Sequence, residues 1–287
     1  MNRSNQEPIR GYVRLRKSLR KITAAVLFLA GLATSGRAAT TTLQDLNSTV
    51  NIDPSSQSGM SDWIVNGTDQ LAQQWFWYRT GSTGPESSID TLPLVSSIAS
   101  DTNFNPGFDN LALRYGTAST FFIDVNYSLQ GGSVGSGSSI AETIKITNNS
   151  GSPLDFHFFQ YSNYDLGGTS GSDAETRLNP NTVRVVGDGM LFSETVASPA
   201  ASHYELALTP TTINKLNDGN PTTLPDGATT AGPGDVAFAF EWDKVLAAGE
   251  TLTISKGKSL QLVPEPGTLT LISIGLVGGL VFLRRRR

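Results

Sequence analysis

Two segments of the chain alternate apolar and polar residues with a period of two. From Phe121 to Leu129 every second residue is apolar, and Asp124 and Asn126 lie between them. From Val236 to Trp242 large apolar residues alternate with smaller or charged ones. Successive side chains of a strand point to opposite faces, so this period predicts two half-buried β-strands.

Further short runs of apolar and β-branched residues predict weaker strands, separated by turn signals such as Asn66-Gly67 and Asp188-Gly189. These candidates are Trp75–Arg79, Asn110–Tyr115, Ile140–Thr147, Asp155–Tyr161, Thr182–Val186, Met190–Val196, His203–Leu208, Thr251–Ser255 and Ser259–Leu262. Charged residues make up only 16% of the 287 residues, which also disfavours a helical protein. The sequence therefore predicts an all-β fold, as a β-sandwich or a jelly-roll-like domain.

The pattern divides the chain into four parts. Residues 1–38 read as a signal peptide, 39–60 as a poorly ordered lead-in, 61–262 as the β-sandwich and 263–287 as a C-terminal tail. Within the sandwich, residues 209–234 are polar and rich in proline, and they predict a mobile surface excursion.

The first 38 residues have the three parts of a secretory signal. A basic region at 14–21 precedes an apolar run at 22–32, and the small residues Gly36 and Ala38 follow. We expect signal peptidase to cut after Ala38 and the general secretion route to export the chain. The apolar run is too short for an uncleaved helix to span a membrane comfortably.

The tail combines a proline-rich segment, an apolar run and a basic end. Pro264, Glu265 and Pro266 precede the uncharged stretch 268–283, which as a helix would be about 24 Å long. That length is marginal for a hydrocarbon core of about 30 Å, although a bilayer can thin to accommodate it. The terminal cluster of Arg284, Arg285, Arg286 and Arg287 should remain cytoplasmic, which leaves the body outside. We therefore predict a single transmembrane helix at 268–283.

These three parts together resemble the PEP-CTERM sorting signal of exported bacterial proteins. The resemblance implies that an exosortase, an integral-membrane protease or transpeptidase, recognises the tail at Pro264-Glu265-Pro266. It also implies a precursor anchored in the inner membrane and a mature body at the cell surface or outside the cell. An association with extracellular polysaccharide and a structural role in biofilm follow from the resemblance alone.

Charge is distributed unevenly along the chain. Residues 39–283 hold nine Lys and Arg against 24 Asp and Glu, a net charge of about −15, whereas the whole chain carries −4. So acidic a body is expected to be repelled by nucleic acid, which we exclude as a partner. There is no cysteine, so disulfides and thiolate chemistry are excluded.

Few residues suggest a metal or cofactor site, and we expect no cofactor. The two histidines, His157 and His203, are far apart in sequence, which disfavours a transition-metal site. Calcium is the metal that the acidic loops favour, because hard cations bind oxygen ligands. The acidic residues in predicted loops are Asp165, Asp173, Asp188, Asp218, Asp226 and Asp235.

The aromatic block at 75–78 leaves two interpretations of the body. It can be a central strand buried on both faces, or Trp75 and Trp77 can be exposed on one face and stack on sugar rings. We expect a surface or matrix protein without enzymatic activity, and the alternative is a carbohydrate-binding module that acts on exopolysaccharide. A polysaccharide hydrolase would require two carboxylates that face each other in a cleft.

Overall fold

A computed structural model of the chain describes residues 39–263. This part contains 18 strands, one short α-helix, α1 (Thr211–Leu216), and 3₁₀ turns at Ile89–Thr91 and Leu166–Gly168. The strands are β1 (Thr41–Asp45), β2 (Ser48–Asp53), β3 (Gly59–Val65), β4 (Thr68–Asp69), β5 (Gln73–Thr80), β6 (Ser87–Ser88), β7 (Leu94–Ser100), β8 (Asn110–Gly116), β9 (Phe121–Gln130), β10 (Ser138–Asn148), β11 (Leu154–Asn163), β12 (Asp173–Asn179), β13 (Thr182–Gly187), β14 (Met190–Ser198), β15 (His203–Leu208), β16 (Thr230–Gly234), β17 (Val236–Leu246) and β18 (Thr251–Leu262).

The strands form two sheets of nine strands each. Sheet A has the order β1-β2-β3-β5-β11-β17-β15, with β4 and β6 paired to β3 and β5. Sheet B has the order β16-β12-β13-β14-β18-β10-β9-β8-β7. All the pairings are antiparallel except a short parallel contact between β3 and β5. The all-β prediction is confirmed.

Aromatic side chains join the inner faces of the two sheets. Trp63 of sheet A meets Phe192 of sheet B edge to face, with ring centroids 6.4 Å apart, and Tyr78 meets Phe121 at 5.4 Å. Such offset and edge-to-face contacts are the favoured geometries of aromatic pairs. The molecule is therefore a β-sandwich. Its two large sheets and repeated hairpins differ from the eight strands and two Greek keys of a jelly roll.

A layer of charge crosses this apolar core. Lys256 and Lys258 of β18 point inward and form ion pairs with Glu142 of β10, and all three side chains are fully buried. Burial alone would raise the pKa of Glu142, but the two ammonium groups outweigh it and hold that pKa below its ordinary value. The Nζ atom of Lys256 also lies 3.4 Å from Glu194. Buried charges persist in a core when they are paired in this way.

The lead-in predicted at 39–60 is wrong. Strands β1 and β2 lie within it and form a hairpin with five paired residues on each strand. Strand β2 also pairs with β3, which joins the hairpin to sheet A. Leu43, Val50 and Ile52 from this segment are buried in the core. The apolar residues at alternate positions of these short strands are enough to fix the segment on the sheet.

Several expectations lie outside the described residues. These are the signal peptide with its cleavage after Ala38, the segment Pro264-Glu265-Pro266, the helix at 268–283 and the arginines 284–287. Between residues 39 and 263, no helix is long and apolar enough to cross a membrane.

Candidate functional site

Both histidines lie on the outer face of sheet A, where three neighbouring strands bring them close to carboxylates. In the register of the sheet, His157 of β11 lies directly opposite Asp243 of β17, and His203 of β15 lies opposite Glu241. Residues 241 and 243 share a face because side chains two apart on a strand point the same way. With Asp226 from the segment before β16, these side chains form what we call the histidine–carboxylate cluster.

The distances within the cluster are short. His157 Nδ1 lies 2.5 Å from Asp243 Oδ1 and 3.9 Å from Glu241 Oε1. His203 Nδ1 is 2.6 Å from Asp226 Oδ2, and His203 Nε2 is 3.5 Å from Asp243 Oδ2. Among residues 39–263, His157, Glu241 and Asp243 form a group whose candidate ligand atoms all lie within 4.8 Å of one another.

Glu241 is the buried member of the cluster. Its side chain is inaccessible to solvent, and burial raises its pKa to about 8, with a further contribution from the charge of Asp243. The Leu224 N–H donates a hydrogen bond to Glu241 Oε2 at 2.7 Å, and this bond lowers the pKa of Glu241. Arg79 lies nearby but is engaged with the buried carboxylate of Glu86 at 2.9 Å.

The segment predicted as a mobile excursion instead covers part of this face. Leu216 of α1 and Leu224 are buried in the core cluster, and Asn217 accepts a hydrogen bond from Trp77 Nε1 at 3.1 Å. The backbone N–H of Thr222 donates to Glu86. These contacts cover the cluster on the side of Arg79. The side chains of His157 and Asp243 remain partly exposed, with 14% and 30% of their surfaces accessible to solvent.

The sugar-stacking role predicted for Trp75 and Trp77 is wrong, because both side chains are fully buried. Trp77 lies beneath the segment just described. Trp75 packs against Gly59, where an added Cβ would lie 2.1 Å from the indole ring, and its Nε1 donates to Asp90. The alternative interpretation of the block at 75–78, a strand buried on both faces, is the one observed.

A second polar surface lies on the outer face of sheet B, over β7 to β10. It is a groove of about 550 Å³ lined by Ser96, Ala112, Leu113, Arg114, Asp124, Val125, Asn126, Thr143 and Lys145, and we call it the sheet B groove. Arg114 makes two hydrogen bonds to Asp124, at 2.5 and 3.0 Å, and stacks over Phe122 at 4.9 Å. Asn126 exchanges side-chain amide hydrogen bonds with Asn110. Planar polar groups thus surround the small side chain of Ala112.

The loop aspartates proposed as calcium ligands do not all lie together. Asp165, Asp188 and Asp235 are close enough to raise the pKa of the buried Asp173 electrostatically. Asp226 belongs to the histidine–carboxylate cluster, and Asp218 is exposed and accepts a hydrogen bond from the Asn220 N–H. Calcium binding stays a prediction.

Little in the sequence predicts the histidine–carboxylate cluster. Its two histidines are 46 positions apart and meet only through the register of three strands. One signal was present: the face of β17 that carries the small residues Ala237 and Ala239 also carries two carboxylates, Glu241 and Asp243. A charge at a position predicted to be half buried is a reason to look for a site.

Solved structures with a similar fold include carbohydrate-active enzymes. A bacterial glucoamylase in complex with acarbose has a TM-score of 0.53 at 12% identity, over 85% of this chain and 35% of that chain. The Slr1438 protein from Synechocystis sp. PCC 6803 has a TM-score of 0.50 at 12% identity, over 79% of this chain and 97% of that one. A putative aldose 1-epimerase from Escherichia coli K12 has a TM-score of 0.49 at 10% identity, over 78% of this chain and 99% of that chain. The likeness to the glucoamylase and to Slr1438 shows that this fold also occurs in other proteins, one of which is an enzyme.

The expectation that excluded enzymatic activity is overturned, because a glucoamylase has a similar fold and the fold therefore gives no ground for the exclusion. The chain spans about a third of the length of that glucoamylase, and at 12% identity the likeness shows the fold alone. No curated protein matches the chain.

Residues 262–287 match the family model of the PEP-CTERM protein-sorting motif. The match contains Pro264-Glu265-Pro266, the apolar stretch and the four arginines, so the resemblance seen in the sequence is confirmed. The chain carries a PEP-CTERM sorting motif. This motif implies an exported, membrane-anchored precursor with an exosortase as its processing partner.

Proposed function

We propose that this chain is a surface protein that an exosortase processes and whose body binds neutral extracellular polysaccharide through the sheet B groove. The sorting motif supports the first part. The groove, which is the observation that carries the second, offers an extended row of hydrogen-bonding groups on a rigid sheet. A protein bound in this way would be retained in the polysaccharide matrix around the cell.

The groove suits sugar hydroxyls for three reasons. Its carboxylate and amide oxygens accept hydrogen bonds, and its guanidinium, ammonium and amide groups donate them. Three of the lining side chains are held in place before a ligand arrives, because Arg114 and Asp124 pair with each other and Asn126 pairs with the neighbouring Asn110. Ala112, at the centre, leaves room for a pyranose ring to approach the sheet.

Charge selects the class of polysaccharide. The body carries about −15, so a polyanion would be repelled over most of the surface. A neutral polymer meets no such barrier. The groove also lacks a large exposed aromatic platform, so hydrogen bonding would dominate the recognition.

Affinity electrophoresis tests the binding part of the proposal. Gels contain either a neutral glucan or the polysaccharide purified from the producing culture, and the full-length protein is compared with Arg114→Ala and Asn126→Ala. We expect retardation of the unmodified protein in at least one gel and a loss of most of it in both variants.

The matched control is Asn51→Ala, which removes a part-buried amide from sheet A. It should be retarded like the unmodified protein. Equal retardation of all four proteins, or retardation of none, would show that the groove is not a polysaccharide site.

Intact-mass measurement tests the sorting part. We compare the protein from hosts with and without the exosortase and expect a C-terminal cut near Pro264-Glu265-Pro266 only where the enzyme is present. A mature chain that keeps Arg284–Arg287 in both hosts would contradict exosortase processing and leave the groove hypothesis untouched.

A further inference from the structure

We propose that His157, Glu241 and Asp243 form a binding site for one divalent transition-metal ion of the zinc class on the outer face of sheet A. The ligand atoms would be His157 Nδ1, Glu241 Oε1 and Asp243 Oδ1. This site lies on the opposite sheet from the groove and does not rest on the polysaccharide proposal.

The two distances from His157 Nδ1 to the carboxylate oxygens are compatible with a small ion. Bonds from zinc to nitrogen or carboxylate oxygen are about 2.0–2.2 Å, so ligand atoms in a tetrahedral shell lie about 3.4 Å apart. The Nδ1–Oε1 distance of 3.9 Å is close to this separation. The Nδ1–Oδ1 contact of 2.5 Å is a hydrogen bond, and the ion would replace its proton and widen it by about 1 Å.

An unpartnered buried atom is the independent observation that points to a ligand. Glu241 Oε1 is buried, and within the part of the chain that the structure describes no N–H or hydroxyl group donates a hydrogen bond to it. A polar atom buried without a partner is destabilising. Because Oε1 faces His157 Nδ1, an ion placed between these two atoms would supply the missing interaction.

Neighbouring groups surround each of the proposed ligands. The Leu224 N–H binds Glu241 Oε2 and leaves Oε1 free to coordinate. His203 Nε2, 3.5 Å from Asp243 Oδ2, lies on the side of that carboxylate away from His157. Asp155 Oδ2 lies 3.5 Å from His157 Nε2, the ring atom not used for the ion. Asp155 is therefore near the place where a carboxylate often binds the second nitrogen of a coordinating histidine, although it makes no hydrogen bond to that nitrogen here.

The donor set selects the kind of ion. One imidazole nitrogen with two carboxylate oxygens suits zinc and its neighbours, whereas calcium takes six to eight oxygen ligands. The two carboxylates balance the charge of a divalent cation. The partial exposure of Asp243 leaves room for water in the fourth position.

The experiment is a calorimetric titration of chelator-treated, full-length protein with zinc chloride, followed by cobalt substitution. We expect one equivalent of zinc to bind, and we expect the cobalt form to show the visible absorption of a four- or five-coordinate ion. The variants His157→Asn, Asp243→Asn and Glu241→Gln should each weaken zinc binding at least tenfold, and His203→Gln should weaken it less.

The matched control is Asp62→Asn, which alters a part-buried carboxylate on β3 of the same sheet and should bind zinc like the unmodified protein. Circular dichroism identifies any variant that fails to fold, and the titration of the unmodified protein remains decisive without it. Absence of a stoichiometric zinc site, a preference for calcium over zinc, or equal binding in the His157 and Asp62 variants would overturn the proposal.

Discussion

Asp173 is a carboxylate buried at the start of β12 with few compensating contacts. The Leu166 N–H donates to its Oδ2 at 3.2 Å, whereas Oδ1 has no hydrogen-bond partner among residues 39–263. A Cβ at position 187 would lie 1.8 Å from Oδ1, so Gly187 is the residue that admits this side chain. Burial, with the nearby charges of Asp165 and Asp188, raises the pKa of Asp173 to about 7 from 3.8.

This shift makes the free energy of unfolding depend on pH. Well below pH 3.8 the carboxyl is protonated in both the folded and the unfolded state, so it does not affect the free energy of unfolding. As the pH rises to about 7, the unfolded chain releases the proton that the folded chain keeps, so stability falls, and above pH 7 the loss is complete. We expect Asp173→Asn to raise the unfolding free energy by about 2 kcal/mol at pH 8 and to change it little at pH 4, measured by urea denaturation.

Asp218→Asn, at an exposed position, serves as the control and should not change the free energy of unfolding at pH 8 or at pH 4. Equal effects of Asp173→Asn at both pH values would mean that the substitution acts through packing and not through ionisation.

Strand β18 shows where sequence patterns fail at the level of an element. The sequence predicts two strands, 251–255 and 259–262, whereas the structure has one strand of 12 residues. The gap between the two predicted strands contains Lys256 and Lys258, and lysine side chains normally face water. Their carboxylate partners, Glu142 of β10 and Glu194 of β14, are far away in sequence. A local pattern therefore cannot predict that these lysines face inward.

The regular alternation from Phe121 to Leu129 predicts β9 to within one residue, and the weaker candidate His203–Leu208 matches β15 at both ends. Strands β1 and β2 were missed because their few apolar residues are separated by polar ones in short strands. The histidine–carboxylate cluster was missed for a different reason. It depends on which strands are neighbours and in which register, and both are properties of the whole sheet.

The buried ion layer predicts a large effect from one substitution. Glu142→Gln should lower the unfolding free energy by about 3 kcal/mol, because it leaves two ammonium groups in the core without their shared carboxylate. Lys256→Met in the same background should recover part of the loss, since it removes one of those charges. Denaturant unfolding of the two single variants and the double variant measures this coupling.

On the exposed face of β10, Lys145→Met provides the control, and it should change stability by less than about 0.5 kcal/mol. Additive effects of the Glu142 and Lys256 substitutions would show that the two side chains do not interact.

At the scale of the whole molecule, basic and acidic residues are segregated along the chain. Twelve of the 21 Lys and Arg lie in residues 1–38 and 284–287, and 24 of the 25 Asp and Glu lie between them. Removal of either end therefore leaves a more acidic protein. The order of these segments was readable from the sequence, because charge and hydropathy patterns need no tertiary information.

Isoelectric focusing should separate the precursor from the processed forms. We expect the mature protein to focus at a lower pH than the precursor, and a form that keeps only the C-terminal arginines to focus in between. A host without exosortase should accumulate that intermediate. Identical bands in both hosts would contradict cleavage of the tail.

The position of β18 in its sheet has a mechanical consequence. This strand leads directly into the sorting motif, and it lies between β14 and β10, paired with β10 from Thr251 to Leu260 and with β14 from Ser255 to Leu262. A pull on the C-terminal side along the direction of β18 would load these two ladders in shear. Many hydrogen bonds would then have to break together, so the body should resist drag on a tethered precursor better than if its last strand lay at a sheet edge.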